Sequence, residues 1–209
     1  HSGGPRAACN MQQLLKLQLA AAGGRAQDEN ETTRPPHLQS LRKCMLARRT
    51  LGPILYVPRQ MATSPADLTL EHVVPVSVLK KSNSPCATAD ARNIFLSCKY
   101  VNNARGNARF DFGPAPSGSI GLGHGNFIDA NREIFYPRAE DAPLIARTLL
   151  RMRSLCDFEW RAVTTATAEE AEELARGKQR RLEEMCHAKL ARRYNHYYHR
   201  SQGLRKRWG

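Results

Sequence analysis

Short runs of alternating or helically spaced apolar residues predict the elements of the first half of the chain. HLQSLRKCMLARR, residues 37–49, carries leucine and methionine at helical spacing with basic residues between them, which predicts a basic amphipathic helix. DLTLEHVV, residues 67–74, alternates apolar and polar side chains, which predicts a strand that Pro75 ends. NIFLSC, residues 93–98, predicts a second strand, and the two strands can form a hairpin across the polar loop at residues 80–90.

Three further patterns occupy the middle of the chain. VNNARGNARF, residues 101–110, suits a short helix or helical turn. GPAPSGSIGLGHGN, residues 113–126, contains five glycines and predicts a flexible loop. Its GLGHG lacks the GxGxxG spacing of a phosphate-binding turn, so we do not expect it to cradle phosphate. FIDANREIFYP, residues 127–137, predicts a strand.

Two helices are predicted in the last third of the chain. Asp141 and Pro143 are typical of a helix start. The apolar face of this helix carries Ile145, Leu149 and Met152. At Thr167 the sequence TAEE matches a capping box, in which Glu170 reaches back to the first amides. Acidic residues in its first turns and basic residues in its last favour a long helix that ends near Arg193.

Length and composition suggest one folded domain behind an arm. Residues 1–36 end in a mixture of glycine, polar residues and proline, and we expect a flexible N-terminal arm there. The 209 residues are 41% apolar, which is enough for a core in residues 37–209. No apolar run approaches the roughly 18 residues that span a bilayer, so we expect a soluble protein that binds no membrane.

The chain is strongly basic. It has 32 lysines and arginines against 19 acidic residues, a formal net charge of +13. Such a charge favours polyanions, and nucleic acid is the first partner to consider. The charge alone does not separate a nuclease from a packaging protein, since both need cations that displace counterions from phosphates.

Six cysteines are spread singly along the chain. They are Cys9, Cys44, Cys86, Cys98, Cys156 and Cys186. Without a CxxC pair, structural zinc is not favoured, and Cys186 with His187, His196 and His199 fits no standard zinc spacing. The even count permits three disulfides and slightly favours a secreted or periplasmic protein, although buried free thiols in an intracellular protein give the same count.

Candidate chemistry lies in Glu71-His72 at the end of the first predicted strand and in Asn102, about thirty residues later. Phosphodiester hydrolysis needs a base for the attacking water and a cation near the scissile phosphate. A neutral histidine is suited to the first role at pH 7. A carboxylate with an amide oxygen suits Mg²⁺, which takes few protein ligands and keeps several waters.

The adjacency of Glu71 and His72 poses a geometric difficulty. Neighbouring side chains on a regular strand point to opposite faces, so the pair must lie where the strand twists or breaks. The simpler alternative is an ordinary polar pair beside a strand.

Four segments in order connect these residues to a known family. EHVVPVS, DARNIFLS, VNNARGN and IFYPRAEDAPLIARTLLRM, all within residues 68–155, resemble the motifs of the bacterial endonuclease I family of ββα-metal (His-Me finger) nucleases. A weaker similarity, at Asn195 and Gln202-Gly203, extends into the tail. In the family, the motifs are EHVVP or EHVWP, D-L-H-N-L-x-P, V-N-x-x-R-x-N, and a proline-containing segment leading into a helix.

The resemblance implies a fold, an activity and a set of roles. It implies a β-hairpin and a helix that grip one Mg²⁺, for which Mn²⁺ or Ca²⁺ can substitute in binding, within a mixed α+β domain over residues 37–209. It implies an endonuclease with little sequence specificity, acting on DNA and in many members on RNA. Glu71 and Asn102 match the metal ligands, and His72 matches the general base. On this basis we expect a monomeric, secreted or periplasmic enzyme.

The chain departs from the family motifs, above all at a histidine and a proline. The family histidine of D-L-H-N-L-x-P is Arg92 here, and its proline is Leu96. The loop between the strands contains no arginine, so the product-stabilising arginine of the family has no counterpart. These losses leave open a second hypothesis, a non-catalytic, basic nucleic-acid-binding protein on a degenerate nuclease scaffold.

Several cations are candidates for the phosphate or the leaving group. We assign this role to Arg92 or Arg105, with Lys80 or Lys81 as the alternative. Arg105 can equally form a buried ion pair that holds the helix to the hairpin. Asn107, the last asparagine of its motif, is expected to be a structural hydrogen-bonding residue. The tail, residues 189–209, interleaves cations with aromatic residues that can contact nucleic acid or pack back on the domain.

Overall fold

The computed structural model describes residues 36–47, 53–58, 64–82 and 90–176, together with Ala188, Ala191, Arg192 and Asn195. These residues form a small mixed α+β domain of helices packed on two sheets, which confirms the predicted fold class. All but the last residue of the predicted arm and the tail beyond Asn195 lie outside this range. Within the range, every helix is too short or too polar to cross a lipid bilayer.

The helices and strands are numbered in chain order. The helices are α1 (Pro36–Ala47), α2 (Val76–Lys81), α3 (Lys99–Arg105), α4 (Ala142–Leu155) and α5 (Ala168–Ala175). The strands are β1 (Ile54–Leu55), β2 (Leu68–His72), β3 (Ile94–Cys98), β4 (Arg109–Phe110), β5 (Ile120–Gly123), β6 (Asn126–Asp129) and β7 (Ile134–Tyr136).

The first sheet has the order β1-β3-β2 and carries the candidate chemistry. β2 and β3 are the two predicted strands, and they pair antiparallel from Leu68 opposite Cys98 to His72 opposite Ile94. The connection between them contains α2, a helix that was not predicted. Its last two residues, Lys80 and Lys81, lie in the segment predicted as a loop. Six residues are too few to establish a helical period, so α2 leaves a weak sequence signal.

Helix α3 follows β3 without a connecting residue and confirms the first half of the helix predicted over residues 101–110, whose last two residues form β4 instead. Its cap, Gly106, has a φ of 54°, a left-handed conformation that suits glycine at the end of a helix. The short helix therefore starts and stops sharply, and it packs against β2 and β3.

The second sheet has the order β4-β7-β6-β5 and corrects two predictions. The glycine-rich segment predicted as a loop contains β5 and the turn into β6, and the single strand predicted at residues 127–137 is most of β6, a turn and β7. His124 and Gly125, between the paired Gly123 and Asn126, both have positive φ, as a tight hairpin turn requires. Gly125 therefore serves the turn, while Gly121 and Gly123 belong to β5.

Apolar residues form two clusters on opposite faces of the first sheet. One cluster packs Leu41 and Met45 of α1 against a face of β2 and β3 that carries Leu68, Leu70, Ile94 and Leu96. The larger cluster contains Phe95 and Val73 and packs against α3, α4 and the second sheet. Strand β2 is thus covered on both sides, and Leu68 and Leu70 enter the cluster with α1.

The caps of the two later helices match the sequence prediction. Asp141 is the residue before α4, and Thr167 with Glu170 forms the predicted capping box of α5. Helix α5 ends at Ala175, and its predicted extension to Arg193 falls mainly on residues outside the described range.

Candidate functional site

Glu71, the penultimate residue of β2, is a buried acid with two donors on one oxygen. Its exposure is 2%, and its Oε1 accepts a hydrogen bond of 2.7 Å from the hydroxyl of Tyr56 and an ion-paired hydrogen bond from Nη1 of Arg105. Among the described residues, the hydrogen bonds to this carboxylate end on Oε1. Oε2 is therefore the oxygen on which a further ligand can be bound.

The protonation of Glu71 reflects opposing effects. Burial raises the pKa of its carboxyl from the usual value, while the charge of Arg105 and the hydrogen bonds from Tyr56 and Arg105 lower it. Without these two donors, burial would strongly disfavour the ionised form of the carboxyl, because nothing would replace its lost hydration. Tyr56 and Arg105 thus favour the ionised form that binds a cation.

Arg105 lies in the interior, with 3% exposure. Besides its bond to Glu71, it donates to the main-chain carbonyls of His72 at 3.3 Å and Val73 at 3.0 Å. Its guanidinium lies 4.2 Å from the centre of the Phe110 ring. These contacts tie α3 to the end of β2. Arg105 therefore forms a buried ion pair that holds the helix to the hairpin, which was the alternative to a phosphate-binding role.

Asn102 lies on α3 and is half-buried. Its Nδ2 donates to the carbonyl of Leu70 at 3.0 Å, which fixes the amide and leaves Oδ1 as its acceptor end. The main-chain partner of Asn102 precedes Glu71 directly, so the structure brings the amide of Asn102 to the same part of β2 as the carboxylate.

His72 is the last residue of β2 and is half-buried. The strand remains paired through His72, and the chain bends only at Val73. The predicted twist or break of the strand at Glu71 and His72 is therefore wrong, because both residues pair regularly with β3. Because side chains alternate on a strand, His72 starts on the face of Leu68 and Leu70, and Glu71 on the face toward α3. The contact of His72 with the Glu71 network is through its main-chain carbonyl and Arg105.

The DARN segment, residues 90–93, lies at the end of the β2–β3 pair and holds the backbone there by hydrogen bonds. Asn93 is fully buried, and its side chain both accepts from the amide of Val74 at 2.8 Å and donates to the carbonyl of Val74 at 2.9 Å. This two-way bond fixes the backbone that follows His72. The motif asparagine thus positions the strand end, while the chemistry remains with other residues.

Arg92 forms an ion pair with Asp90, to which its Nε donates at 2.9 and 3.0 Å. Burial acts to raise the pKa of Asp90, but hydrogen bonds from Arg92 and Asn195 outweigh it and hold the pKa below the usual value. Asn195 also accepts from the amide of Ala91 at 2.9 Å. The Asn195 of the predicted tail motif is therefore attached to the start of the DARN segment.

Tyr56 is the site residue that sequence reasoning missed. Its ring is fully buried, and its φ is 73°, a conformation that is unusual for an aromatic residue. Its amide donates to Oδ2 of Asp141 at 2.6 Å, and its carbonyl accepts from Nδ2 of Asn126 at 2.9 Å. No local pattern marks Tyr56, since its partners lie 85 and 70 positions away.

Exposed cations follow β2 along the chain. Lys80 and Lys81 form the last turn of α2, which begins four residues after His72, and both are exposed. Asn107, just after α3, is exposed as well, and its expected structural role stays a prediction.

The donor chemistry near Glu71 suits a hard divalent cation. A carboxylate oxygen and an amide oxygen are ligands that Mg²⁺ accepts, and water supplies the remaining positions. In the described part of the chain, no three His, Cys, Asp or Glu residues group as metal ligands. Cys98 and Cys156 have free thiols, while the side chains of the other four cysteines lie outside that part, so the predicted disulfides stay a prediction.

A scan against protein-family models and a search of curated proteins both found no match to the chain.

Proposed function

We propose that this protein is a Mg²⁺-dependent endonuclease that hydrolyses phosphodiester bonds of DNA, and also of RNA, with little sequence specificity. In this proposal Glu71 and Asn102 hold the cation, and His72 is the general base. The observation that carries it is the antiparallel pair of β2 and β3, joined through α2 and followed directly by α3, with Glu71-His72 at the end of the first strand and Asn102 on the helix.

This arrangement supports the proposal, because the family resemblance implies a β-hairpin and a helix that grip one Mg²⁺. Support comes from the bond between Asn102 and the Leu70 carbonyl, which places the helix amide one residue from Glu71 along β2. The order of the four sequence motifs then corresponds to the order of the elements.

The chemistry divides among the three residues. Oε2 of Glu71 and Oδ1 of Asn102 are the oxygens that would hold the cation, and the cation would neutralise charge that develops on the scissile phosphate. His72 takes a proton from water on one ring nitrogen, and the resulting hydroxide attacks phosphorus while the bond to the leaving oxygen breaks. A water or cationic side chain returns a proton to that oxygen.

His72 can act as the general base only if its ring reaches the water that attacks the phosphate. Its side chain starts on the face of β2 opposite Glu71, so the ring must reach the substrate beyond the strand end. The chain bends at Val73, directly after His72, and His72 is half-buried, which supports such a reach. The cation and the base would then approach the phosphate from two sides.

The remaining cations receive different roles. Arg105 is enclosed, so we assign it the positioning of Glu71 rather than contact with substrate. Arg92 is half-buried beside Asp90 and stays a candidate for the leaving group. Lys80 and Lys81 are exposed in the last turn of α2 and are suited to bind the nucleic-acid backbone.

Plasmid nicking tests the proposal. We expect nicking with Mg²⁺, its loss with chelator, and a loss of at least about 100-fold in rate for His72→Ala, a typical contribution of a general base. The matched control is His124→Asn, which changes an exposed histidine and keeps a residue that tolerates its φ of 53°. DNA binding by His72→Ala should equal that of the wild type. Nicking by His72→Ala at the wild-type rate would remove the assignment.

One observation favours the second candidate, a non-catalytic nucleic-acid-binding protein. Glu71 is already paired with Arg105, and alternation starts His72 on the opposite face, as in a scaffold that has lost its activity. This protein would bind DNA with or without Mg²⁺ and leave the plasmid intact. The same gel, run with and without chelator, separates the two candidates.

A further inference from the structure

We propose that Tyr56 is a positioning residue for the metal centre: its hydroxyl, together with Arg105, holds Oε1 of Glu71 so that Oε2 is presented to the cation. This inference rests on the proposed function and deepens it. The position of Tyr56, before the first of the four recognised motifs, places it outside the segments that carry the family resemblance.

The contacts of Glu71 give the first support. Tyr56 and Arg105 reach the same oxygen from two elements, and both donors are buried. A carboxylate held by one donor can rotate about its last side-chain bond, whereas two donors on one oxygen fix the plane of the group and the direction of the other oxygen. Tyr56 provides the second of these constraints.

The backbone of Tyr56 gives the second support. Its left-handed φ of 73° has a cost for a residue with a Cβ, and such conformations persist when surrounding contacts enforce them. Two buried side chains do so, Asp141 on the amide and Asn126 on the carbonyl. The ring also contacts Phe135 edge-to-face, with centroids 5.1 Å apart. Both the backbone and the ring of Tyr56 are thereby fixed before any ligand binds.

This arrangement connects the cation site to distant parts of the domain. Asp141 lies at the start of α4, and Asn126 begins β6 of the second sheet. Through Tyr56 these elements determine the orientation of a carboxylate on the first sheet. Residues that hold a metal ligand in this way typically contribute 10- to 100-fold to metal affinity.

Tyr56→Phe tests the inference because it removes only the hydroxyl. Tyr100→Phe is the matched control, since its hydroxyl is buried and has no hydrogen-bond partner among the described residues. Two quantities are measured on the full chain. The first is the dissociation constant of Mn²⁺ without nucleic acid, from the free-ion signal in electron paramagnetic resonance. The second is the Mg²⁺ concentration that gives half-maximal nicking.

For Tyr56→Phe we expect both constants to rise by about 10-fold or more, with nicking at saturating Mg²⁺ close to that of the wild type. Tyr100→Phe should leave both constants unchanged. A purely structural defect would lower the active fraction at every Mg²⁺ concentration without moving either constant. Asn126→Ser, which frees the Tyr56 carbonyl and keeps the hydroxyl, is a second variant and should move the constants in the same direction.

The outcomes separate this inference from the proposed function. A wild-type protein that nicks DNA with Mg²⁺, with constants that neither Tyr56→Phe nor Asn126→Ser changes, overturns the positioning role alone. A wild-type protein that neither binds Mn²⁺ nor nicks DNA overturns both. Raised constants in the two variants, with the control unchanged, establish the role of Tyr56.

Discussion

The buried pair of Glu71 and Arg105 provides the sharpest test of how the site is built. Arg105→Met removes a charge and the donors to Glu71, His72 and Val73 but keeps an unbranched side chain of similar length. The side chains of the pair are 2% and 1% exposed, so water cannot replace the lost donors. Breaking such a pair by removing one partner costs about 3–5 kcal/mol.

The pH dependence of this loss has a defined sign. Burial already raises the pKa of Glu71, and without Arg105 it rises further, so the folded variant keeps the carboxyl protonated to a higher pH than the wild type does. A group whose pKa is raised on folding contributes stability below its unfolded-state pKa, which is lost as the pH rises through the folded-state value. The deficit of Arg105→Met should therefore grow as the pH rises above the folded-state pKa of Glu71 in the wild type, which itself lies above the usual value.

Urea unfolding followed by circular dichroism measures the free energy of unfolding at pH 5 and pH 8. Arg151→Met, which changes an exposed arginine on α4, is the control and should stay within about 0.5 kcal/mol of the wild type. Glu71→Gln and the double variant complete a thermodynamic cycle, with an expected coupling of roughly 0.5–3 kcal/mol. A loss below about 1 kcal/mol for Arg105→Met at pH 8 would refute a buried ion pair.

Two further predictions concern the segments around the site. Because hydrogen bonds from Arg92 and Asn195 hold the pKa of Asp90 below its usual value despite burial, Asp90 contributes stability above pH 3.8 that is lost as the pH falls through its folded-state pKa. Asp90→Asn should cost about 1.5–3 kcal/mol at pH 7 and flatten the acid limb of the stability curve, and an unchanged limb in urea unfolding would contradict this. Burial raises the pKa of the Cys156 thiol to about 11, with Asp90 adding to the rise, so it should resist iodoacetamide at pH 8 in the folded protein and react after denaturation. Peptide mass spectrometry measures both rates, and equal rates would show that Cys156 is accessible.

Local sequence was sufficient for the elements that carry the candidate chemistry. Alternation predicted β2, the segment NIFLSC predicted β3, the composition of VNNARGNARF predicted α3, and cap residues predicted the starts of α4 and α5. These signals are local because a strand period, a helical turn and a cap each involve residues a few positions apart. The glycine-rich hairpin was missed, since glycine indicates a turn equally well in a loop and between strands.

The amino-acid sequence by itself determined that Glu71 and His72 are adjacent at a strand end and that a helix with Asn102 follows. Only the tertiary structure decided that Arg105, 34 positions away, neutralises Glu71, that Tyr56 is its second donor, and that the strand runs unbroken through His72. The reason is physical. A buried charge requires partners from whichever elements pack against it, and packing joins residues whose separation along the chain leaves no periodic signal.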